Sequence, residues 1–268
     1  MKLSCADTLV SGNDYIEKAL KLKEWGFDGI SITANGTLWK AEKEEEILNM
    51  QKQTGIALAE FNLTGLDFGH LHEDEGEGVE KSVKLGCRSV DMTYYAKSGI
   101  TTVYFDVPQK ESLPFAGSAY LCPPDEITRR FARHMGRVCN HAKIKNREVL
   151  LEARNRYETK YCHTQAQAIE VLKTVPHDNV GLVCNLFHMS LTEKNIVDTL
   201  KSCKKFVKYI RVADSNRRLP GKGYLNWKEI FKTLNEIGYD GYLSIDASVV
   251  EASQDDIKKA ANFIRNLI

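Results

Sequence analysis

The chain lacks both a strong charge imbalance and any long apolar run. Its 268 residues include 37 Lys and Arg against 36 Asp and Glu, a formal net charge of +1. Such a balance gives no electrostatic attraction toward nucleic acid or a membrane surface, so we expect neither as a partner. No run is long enough to span a bilayer, and the N-terminus does not resemble a signal peptide. These absences favour a cytoplasmic protein.

A recognisable cysteine framework is also missing. The seven cysteines are scattered and odd in number, and no two form a Cys-x-x-Cys pair. We therefore expect reduced thiols rather than disulfides or a structural zinc site. His70 and His72 form a His-x-His pair beside several acids, but no other residue nearby has metal-ligand spacing.

The glycine-rich turn of a dinucleotide-binding sheet is absent as well. After a first short strand at Lys2–Ser4 the chain continues as Cys5-Ala6-Asp7-Thr8, without a GxGxxG pattern. This argues against a doubly wound open sheet. Linker-like and low-complexity segments are lacking too, so we expect one domain over residues 1–268.

What the chain does contain is a regular alternation of short apolar strands with helices. The first four predicted strands are 2–4, 29–32, 56–61 and 102–105, and the last four end at Glu152, Asn185, Arg211 and Asp246. Predicted helices include 14–25, 38–53, 125–143, 164–175, 192–203, 226–237 and 253–267. The segment 107–124 holds four of the six prolines and is predicted to be a long loop. Eight strand–helix units in a chain of this length predict an α/β fold, a (β/α)₈ TIM barrel.

Four polar side chains end the last four strands. Glu152 follows Val149-Leu150-Leu151, and Asn185, Arg211 and Asp246 end the next three apolar runs. In a barrel of parallel strands these ends meet at one mouth, where active sites lie. Glu, Asn and Asp together would suit a hard divalent cation. An arginine would not, because its guanidinium is always charged and never ligates.

Polar residues in the following loops are further candidates. Glu158 lies in a dense polar segment after the fifth strand, which is either a substrate cradle or a solvated loop. His188 lies three residues beyond Asn185, and both a structural and a functional role are open for it. Arg217 lies in a Gly/Pro loop that is either an anion-binding turn or simply a turn, in which Asp214 could brace a neighbouring arginine.

Several of these segments resemble one known family. The segments LEARNRYET, VGLVCNLFHMSLTE, RVADSNRRLPGKGYLNW and GYLSIDAS, with RRFARHMGRVCNHA and MKLS, are similar to xylose-isomerase-like sugar isomerase and epimerase barrels. The resemblance is nearest to the ketose 3-epimerase and hydroxypyruvate-isomerase branch and covers essentially the whole chain. It implies a keto-sugar substrate, an enediolate intermediate and a divalent manganese-type ion held by Glu, Asp, His and Glu. Glu152 matches the first glutamate, while Glu158, His188 and Arg217 match groups that contact the sugar.

The chain departs from that pattern at three strand ends. Asn185 replaces the family's aspartate, Arg211 its histidine and Asp246 its second glutamate. We therefore expect the metal site to be lost, with no other cofactor. We also expect Arg211 to form an ion pair with Glu152 or Asp246, which should lower the pKa of that carboxyl group.

Three functions remain open. The first is a sugar isomerase or epimerase that works without a metal, with Glu152 and Asp246 catalytic and with Glu158, Asn185, His188, Arg211 and Arg217 binding substrate. The second is a lyase or dehydratase acting on a keto-sugar or cyclitol. The third is a non-catalytic sugar-binding or partner subunit. A nuclease is disfavoured because its chemistry requires a histidine-rich multi-zinc cluster. By analogy with the family, a homodimer or homotetramer is expected.

Overall fold

Eight parallel strands alternate with helices in the computed structural model, which describes residues 1–36, 38–64, 69–105, 125–248 and 252–268. The strands are β1 (Lys2–Ala6), β2 (Gly29–Asn35), β3 (Ala57–Thr64), β4 (Thr101–Val103), β5 (Val149–Glu152), β6 (Val180–Asn185), β7 (Val207–Val212) and β8 (Tyr242–Ile245). The helices are α1 (Tyr15–Glu24), α2 (Ala41–Thr54), α3 (Glu77–Tyr95), α4 (Asp125–Ile144), α5 (Gln165–Thr174), α6 (Leu186–Thr192), α7 (Ile196–Cys203), α8 (Trp227–Glu236) and α9 (Gln254–Arg265). Short 3₁₀ turns lie at Asp7–Leu9 and His70–His72.

The sheet closes almost completely on itself. The strand order is β3-β2-β1-β8-β7-β6-β5-β4, and every pair is parallel. The two end strands meet where Phe61 N donates to Ile100 O at 3.0 Å and Ile100 N donates to Ala59 O at 3.2 Å. The predicted (β/α)₈ barrel is thus confirmed.

Local signals set most helix ends. Asp14 caps α1, because its carboxylate accepts a hydrogen bond from Glu17 N at 2.7 Å. Gly26 and Gly55 follow the first two helices with φ of +82° and +78°, the left-handed conformation that stops a helix. The predicted loop at 107–124 lies outside the described residues.

One predicted helix begins later than expected, and the helix before it was not predicted. The helix expected over 192–203 is α7 (Ile196–Cys203), and α6 (Leu186–Thr192) precedes it as a separate helix. Asn185 Oδ1 accepts from Phe187 N at 3.1 Å, and Asn195 Oδ1 accepts from Val197 N at 2.8 Å. Each asparagine therefore starts its own helix, and the first of them brings His188 back over the end of β6.

Two register shifts turn charged side chains into the barrel. Between β2 and β3, Ile30 pairs with Leu58 but Ser31 pairs with Glu60, so that Ala59 is an extra residue. Between β6 and β7, Leu182 pairs with Val207 but Val183 pairs with Tyr209, so that Lys208 is extra. Side chains alternate faces along a strand, so each extra residue reverses the faces of those that follow it.

The barrel interior has an apolar floor below a layer of hydroxyl groups. Ala59, Leu150, Val183 and Tyr209 pack together as the floor. The Tyr209 hydroxyl lies 2.7 Å from Ser31 Oγ and 3.3 Å from Ser4 Oγ, and Ser31 Oγ lies 2.8 Å from Ser244 Oγ. These hydroxyls separate the apolar floor from the charged groups nearer the mouth.

None of the described helices is both long and apolar enough to cross a membrane. The six cysteines within the described residues are free thiols.

The Tyr209 hydroxyl is expected to contribute measurably to stability. Tyr209→Phe should lower the free energy of unfolding by about 1–3 kcal/mol, because it removes the hydrogen bonds of Tyr209 to two buried serine hydroxyls. Urea unfolding measures this, with Tyr224→Phe as the matched control at a residue that is 75% exposed. Equal unfolding curves for the two variants would contradict the expectation.

Candidate functional site

Arg211 lies at the centre of the barrel mouth. Its Nη1 is 3.2 Å from both carboxylate oxygens of Glu152 and 3.4 Å from Asp246 Oδ2. Its Nη2 is 2.5 Å from Glu60 Oε1. The predicted ion pair is thus confirmed with both expected partners. The third carboxylate, from Glu60, was not predicted.

Glu152 is buried and surrounded by donors. Besides Arg211, Asn185 Nδ2 donates to its Oε1 at 3.0 Å and Arg154 Nε donates to its Oε2 at 3.0 Å. Burial by itself would raise the pKa of Glu152, but the charges of Arg211 and Arg154 outweigh it and hold the pKa well below its usual range. Glu152 is therefore ionised and, as predicted, a weaker base than an ordinary glutamate.

Arg154 was missed as a site residue, although it lies in the polar segment after β5. Its guanidinium carbon lies 3.3 Å from the centre of the Tyr104 ring, so the cation stacks on an aromatic face while it bonds Glu152. The negative charge of Glu152 and the contact with the Tyr104 ring together hold Arg154 in a fixed orientation.

The pKa of Asp246 is shifted in the opposite direction from that of Glu152. It follows β8 directly, and a third of its side chain is exposed. Removal from bulk water raises the pKa of Asp246 despite the opposing charge of Arg211, and repulsion from Glu152 and Glu60 raises it further. Of the two carboxyl groups predicted to be catalytic, Asp246 thus holds a proton more readily.

Glu60 is, after Arg154, the second charged site residue that sequence reasoning missed. It is 2% exposed and accepts hydrogen bonds from Asn62 Nδ2 at 2.7 Å and Thr102 Oγ1 at 2.6 Å. The sequence signal for Glu60 was a single acidic residue in the predicted strand 56–61, which is otherwise apolar. Plain alternation could not show which way it points, because the extra residue Ala59 precedes it.

Three of the five predicted substrate-binding residues, Glu158, His188 and Arg217, meet on the rim of the mouth, while Asn185 and Arg211 lie in its centre on Glu152. Arg217 Nη1 donates to Glu158 Oε1 at 2.6 Å, and the Arg217 guanidinium lies 5.1 Å from the Phe187 ring centre. His188 is 2% exposed, with Nε2 3.9 Å from Glu158 Oε2. Burial lowers the pKa of His188 to about 4, so its imidazole is neutral at physiological pH. Loops after β5, β6 and β7 thus contribute one polar cluster.

Asp214 braces its own loop, not an arginine. Its carboxylate accepts from Ser215 N at 2.8 Å, Gly221 N at 2.9 Å and Trp227 Nε1 at 3.0 Å. The hypothesis that its side chain braces Arg211 or Arg217 is therefore wrong. The braced loop fixes the backbone of Arg217, which has a left-handed φ of +61°.

A small cavity opens beside Arg211. It has a volume of about 50 Å³ and is lined by Asp7, Ser31, Thr33, Glu60 and Asp246, among others. This volume accommodates one or two water-sized groups, such as a hydroxyl or a carbonyl oxygen. The cavity brings such an oxygen next to both Arg211 and Asp246.

The donor set does not fit a divalent cation. Glu60, Glu152 and Asp246 all face the guanidinium of Arg211, which contributes a positive charge where an ion would sit. Two unit charges about 4 Å apart at an effective dielectric near 20 repel by about 4 kcal/mol. Within the described ranges, no group of three or more His, Cys, Asp and Glu is placed to hold a metal.

The His70 and His72 pair does not belong to this site. His70 Nδ1 lies 2.7 Å from Glu73 Oε1, while the His72 ring lies 5.9 Å from the Tyr161 ring centre and 6.4 Å from that of Phe105. The two imidazoles therefore have separate surroundings.

Comparisons with known proteins agree on one family. The family model described as xylose isomerase-like TIM barrel matches residues 19–267. A D-psicose 3-epimerase of Ruminiclostridium cellulolyticum is 26% identical over 244 residues, which cover 88% of this chain and 78% of that protein. A 3-dehydro-D-guloside 4-epimerase of Escherichia coli is 23% identical over 252 residues, 93% of each chain. The crystal structure of an apo 3-keto-D-glucoside 4-epimerase from E. coli superimposes with a TM-score of 0.86 at 21% identity, over 99% of both chains.

Removal of the central guanidinium should destabilise the fold in a pH-dependent way. Arg211→Met should cost about 3–5 kcal/mol at pH 7, because it leaves buried carboxylates unpaired. The pKa of Glu152 is lowered in the folded state. The stabilisation by Arg211 is therefore present above the unfolded pKa of about 4.3 and is lost as the pH falls toward the folded value. The stability gap between wild type and variant should thus stay near its full size from pH 7 to about pH 5 and narrow as the pH falls below about 4.3.

Urea unfolding at several pH values measures this gap. Arg137→Met is the control, since Arg137 also bonds a carboxylate twice, Glu80 at 2.8 and 2.7 Å, but on the surface. Arg137→Met should lower the free energy of unfolding much less than Arg211→Met does. A gap for Arg211→Met that stays constant with pH would contradict the assigned ion pairs.

Proposed function

This chain belongs to the xylose isomerase-like TIM barrel family, and we propose that it is a sugar isomerase or epimerase in which Arg211 replaces the family's metal ion. The relatives named above are epimerases of keto-sugars, which supports isomerase-class chemistry on a ketose or related keto-sugar. The single observation behind the metal-free reading is the position of Arg211, bonded to Glu152, Glu60 and Asp246 together.

In this proposal Arg211 stabilises the charge that develops on the substrate oxygens. Removal of a proton from the carbon beside the carbonyl leaves an electron pair that forms the carbon–carbon double bond of an enediolate and shifts negative charge onto oxygen. A guanidinium already fixed by three carboxylates donates hydrogen bonds to that oxygen without reorganising. Arg211 adjoins the small cavity that fits such an oxygen.

Glu152 and Asp246 share the proton transfer. Their environments move the two pKa values in opposite directions, which is the arrangement that separates an acid from a base. Glu152 is the ionised group that takes the proton, and Asp246 is the group that more readily holds one and returns it. Because β5 and β8 are far apart in the strand order, these groups approach the substrate from different sides.

A non-catalytic sugar-binding protein is the second candidate. It is favoured by the number of hydrogen bonds that Glu152 already makes. The Glu152 carboxylate accepts hydrogen bonds from Arg211, Arg154 and Asn185. A carboxylate so fully bonded in the resting protein has little remaining basicity. Binding of a ketose without proton exchange at any carbon would support this candidate and contradict the enzyme.

Turnover should persist in the presence of a chelator and depend on Glu152. With a panel of ketoses and keto-glycosides in deuterated buffer with EDTA, the wild type should form isomer or epimer and place deuterium on the carbon beside the carbonyl. Glu152→Gln should reduce this by about 10²–10⁴-fold, the usual contribution of a general base. Glu170→Gln is the control, because the Glu170 side chain lies on the exposed face of α5. Unchanged turnover by Glu152→Gln on a confirmed substrate would refute the role of Glu152.

Restoring the family pattern should restore metal binding. The variant Asn185→Asp/Arg211→His/Asp246→Glu exchanges the guanidinium for an imidazole and adds a carboxylate, a set that suits a divalent ion. Isothermal titration calorimetry with Mn²⁺ should show stoichiometric binding by the variant and no binding by the wild type. Tight Mn²⁺ binding by the wild type, abolished by Glu152→Gln, would overturn the metal-free reading.

A further inference from the structure

We infer that Asn155 is a positioning residue that holds His188 in the neutral form with its proton on Nε2, ready to donate to a sugar oxygen. The sugar in this inference rests on the proposed function, whereas the tautomer is a property of the free protein. Asn155 touches none of the three carboxylates around Arg211 in the contacts described above, and it acts on the site only through its neighbours.

The orientation of the Asn155 amide follows from its three partners. Asn155 Oδ1 accepts from Tyr157 N at 2.9 Å, and Nδ2 donates to Glu158 Oε1 at 3.2 Å. A flipped amide would bring two donors together at Tyr157 N and two acceptors together at Glu158. These contacts exclude the flipped amide, since the O and N atoms of an asparagine amide are assigned from their hydrogen-bond partners.

With the amide so fixed, Nδ2 is the atom that faces His188. It lies 2.8 Å from His188 Nδ1, and Asn155 is only 1% exposed, so water does not compete for this contact. An amide nitrogen can only donate, so Nδ1 must be the acceptor and carry no proton. A neutral imidazole has one proton, which therefore resides on Nε2.

The surroundings of His188 keep the ring neutral and leave Nε2–H for a ligand. Burial lowers the pKa of His188 to about 4, against the pull of Glu152 and Glu158 and with the help of Arg154 and Arg217. Glu158 Oε2 lies 3.9 Å from Nε2, which is too long for a hydrogen bond. Arg217 holds Glu158 in its place through the 2.6 Å ion pair. His188 thus offers an uncharged donor on the rim beside a charged pair.

Nitrogen-15 NMR of the free protein tests the tautomer directly. Long-range proton–nitrogen spectra of histidine-labelled protein at pH 7 should show a protonated shift for His188 Nε2 and an unprotonated shift for Nδ1, with His188→Gln used to assign the signals. A wild-type proton on Nδ1, or on both nitrogens, would overturn the inference whatever the substrate is.

Asn155→Asp tests the cause of the tautomer. The substitution keeps the shape but exchanges the donor for an acceptor, so the His188 proton should move to Nδ1 or the ring should become doubly protonated. Asn179→Asp is the matched control, because Asn179 Nδ2 also donates twice, to Cys139 O and Arg147 O, at a distance from this cluster. It should leave the His188 signals unchanged. An unchanged His188 spectrum in Asn155→Asp would show that Asn155 does not fix the tautomer.

On a confirmed substrate, movement of the His188 proton to Nδ1 in Asn155→Asp should raise KM about tenfold, which corresponds to one lost hydrogen bond of about 1.4 kcal/mol, and kcat should change less. A tautomer that inverts with no change in KM would show that His188 does not contact the sugar. If the wild-type tautomer is as stated but no ketose is bound or turned over, the proposed function fails while the assigned role of Asn155 toward His188 remains.

Discussion

The ion cluster of one guanidinium with three carboxylates is the constraint on which the rest of the barrel mouth depends. Arg211, Glu60, Glu152 and Asp246 come from four different strands or strand ends. The first three are buried and could not remain so without one another, while a third of the Asp246 side chain is exposed. Because the cation is covalently part of β7, its position is set by the sheet. The opposite pKa shifts of Glu152 and Asp246 follow from where each carboxyl group lies relative to Arg211 and water.

A guanidinium and a metal ion impose different geometry on a bound oxygen. A divalent cation accepts ligands from several directions and exchanges them, whereas a guanidinium presents its donors in one plane. Arg211 uses part of that plane for its carboxylate partners, and the small cavity beside it is lined in part by β1 and β2 residues. In the proposed function, the rim cluster of Glu158, His188 and Arg217 orients the remaining hydroxyl groups of the sugar.

Most of the fold and part of the site could be predicted from the sequence. The (β/α)₈ barrel followed from alternating strands and helices, and Glu152, Asn185, Arg211 and Asp246 came together because the ends of parallel strands share one edge. The inward direction of Glu60 was out of reach, since it depends on an extra residue in β3 that no local pattern reveals. The start of α6 was missed for another reason: Asn185 was interpreted only as a strand end, although it also caps a helix.

The extra residues Ala59 and Lys208 make the site sensitive to deletions in β3 and β7. Their contribution depends on the number of residues in β3 and β7 rather than on side-chain chemistry, so many substitutions at either position preserve the facing of Glu60 and Arg211. Loss of either residue would instead turn the charged side chain toward the apolar layer beneath the helices. The chemistry of this mouth is thus more vulnerable to a one-codon deletion at a position outside the charged cluster than to most point mutations there.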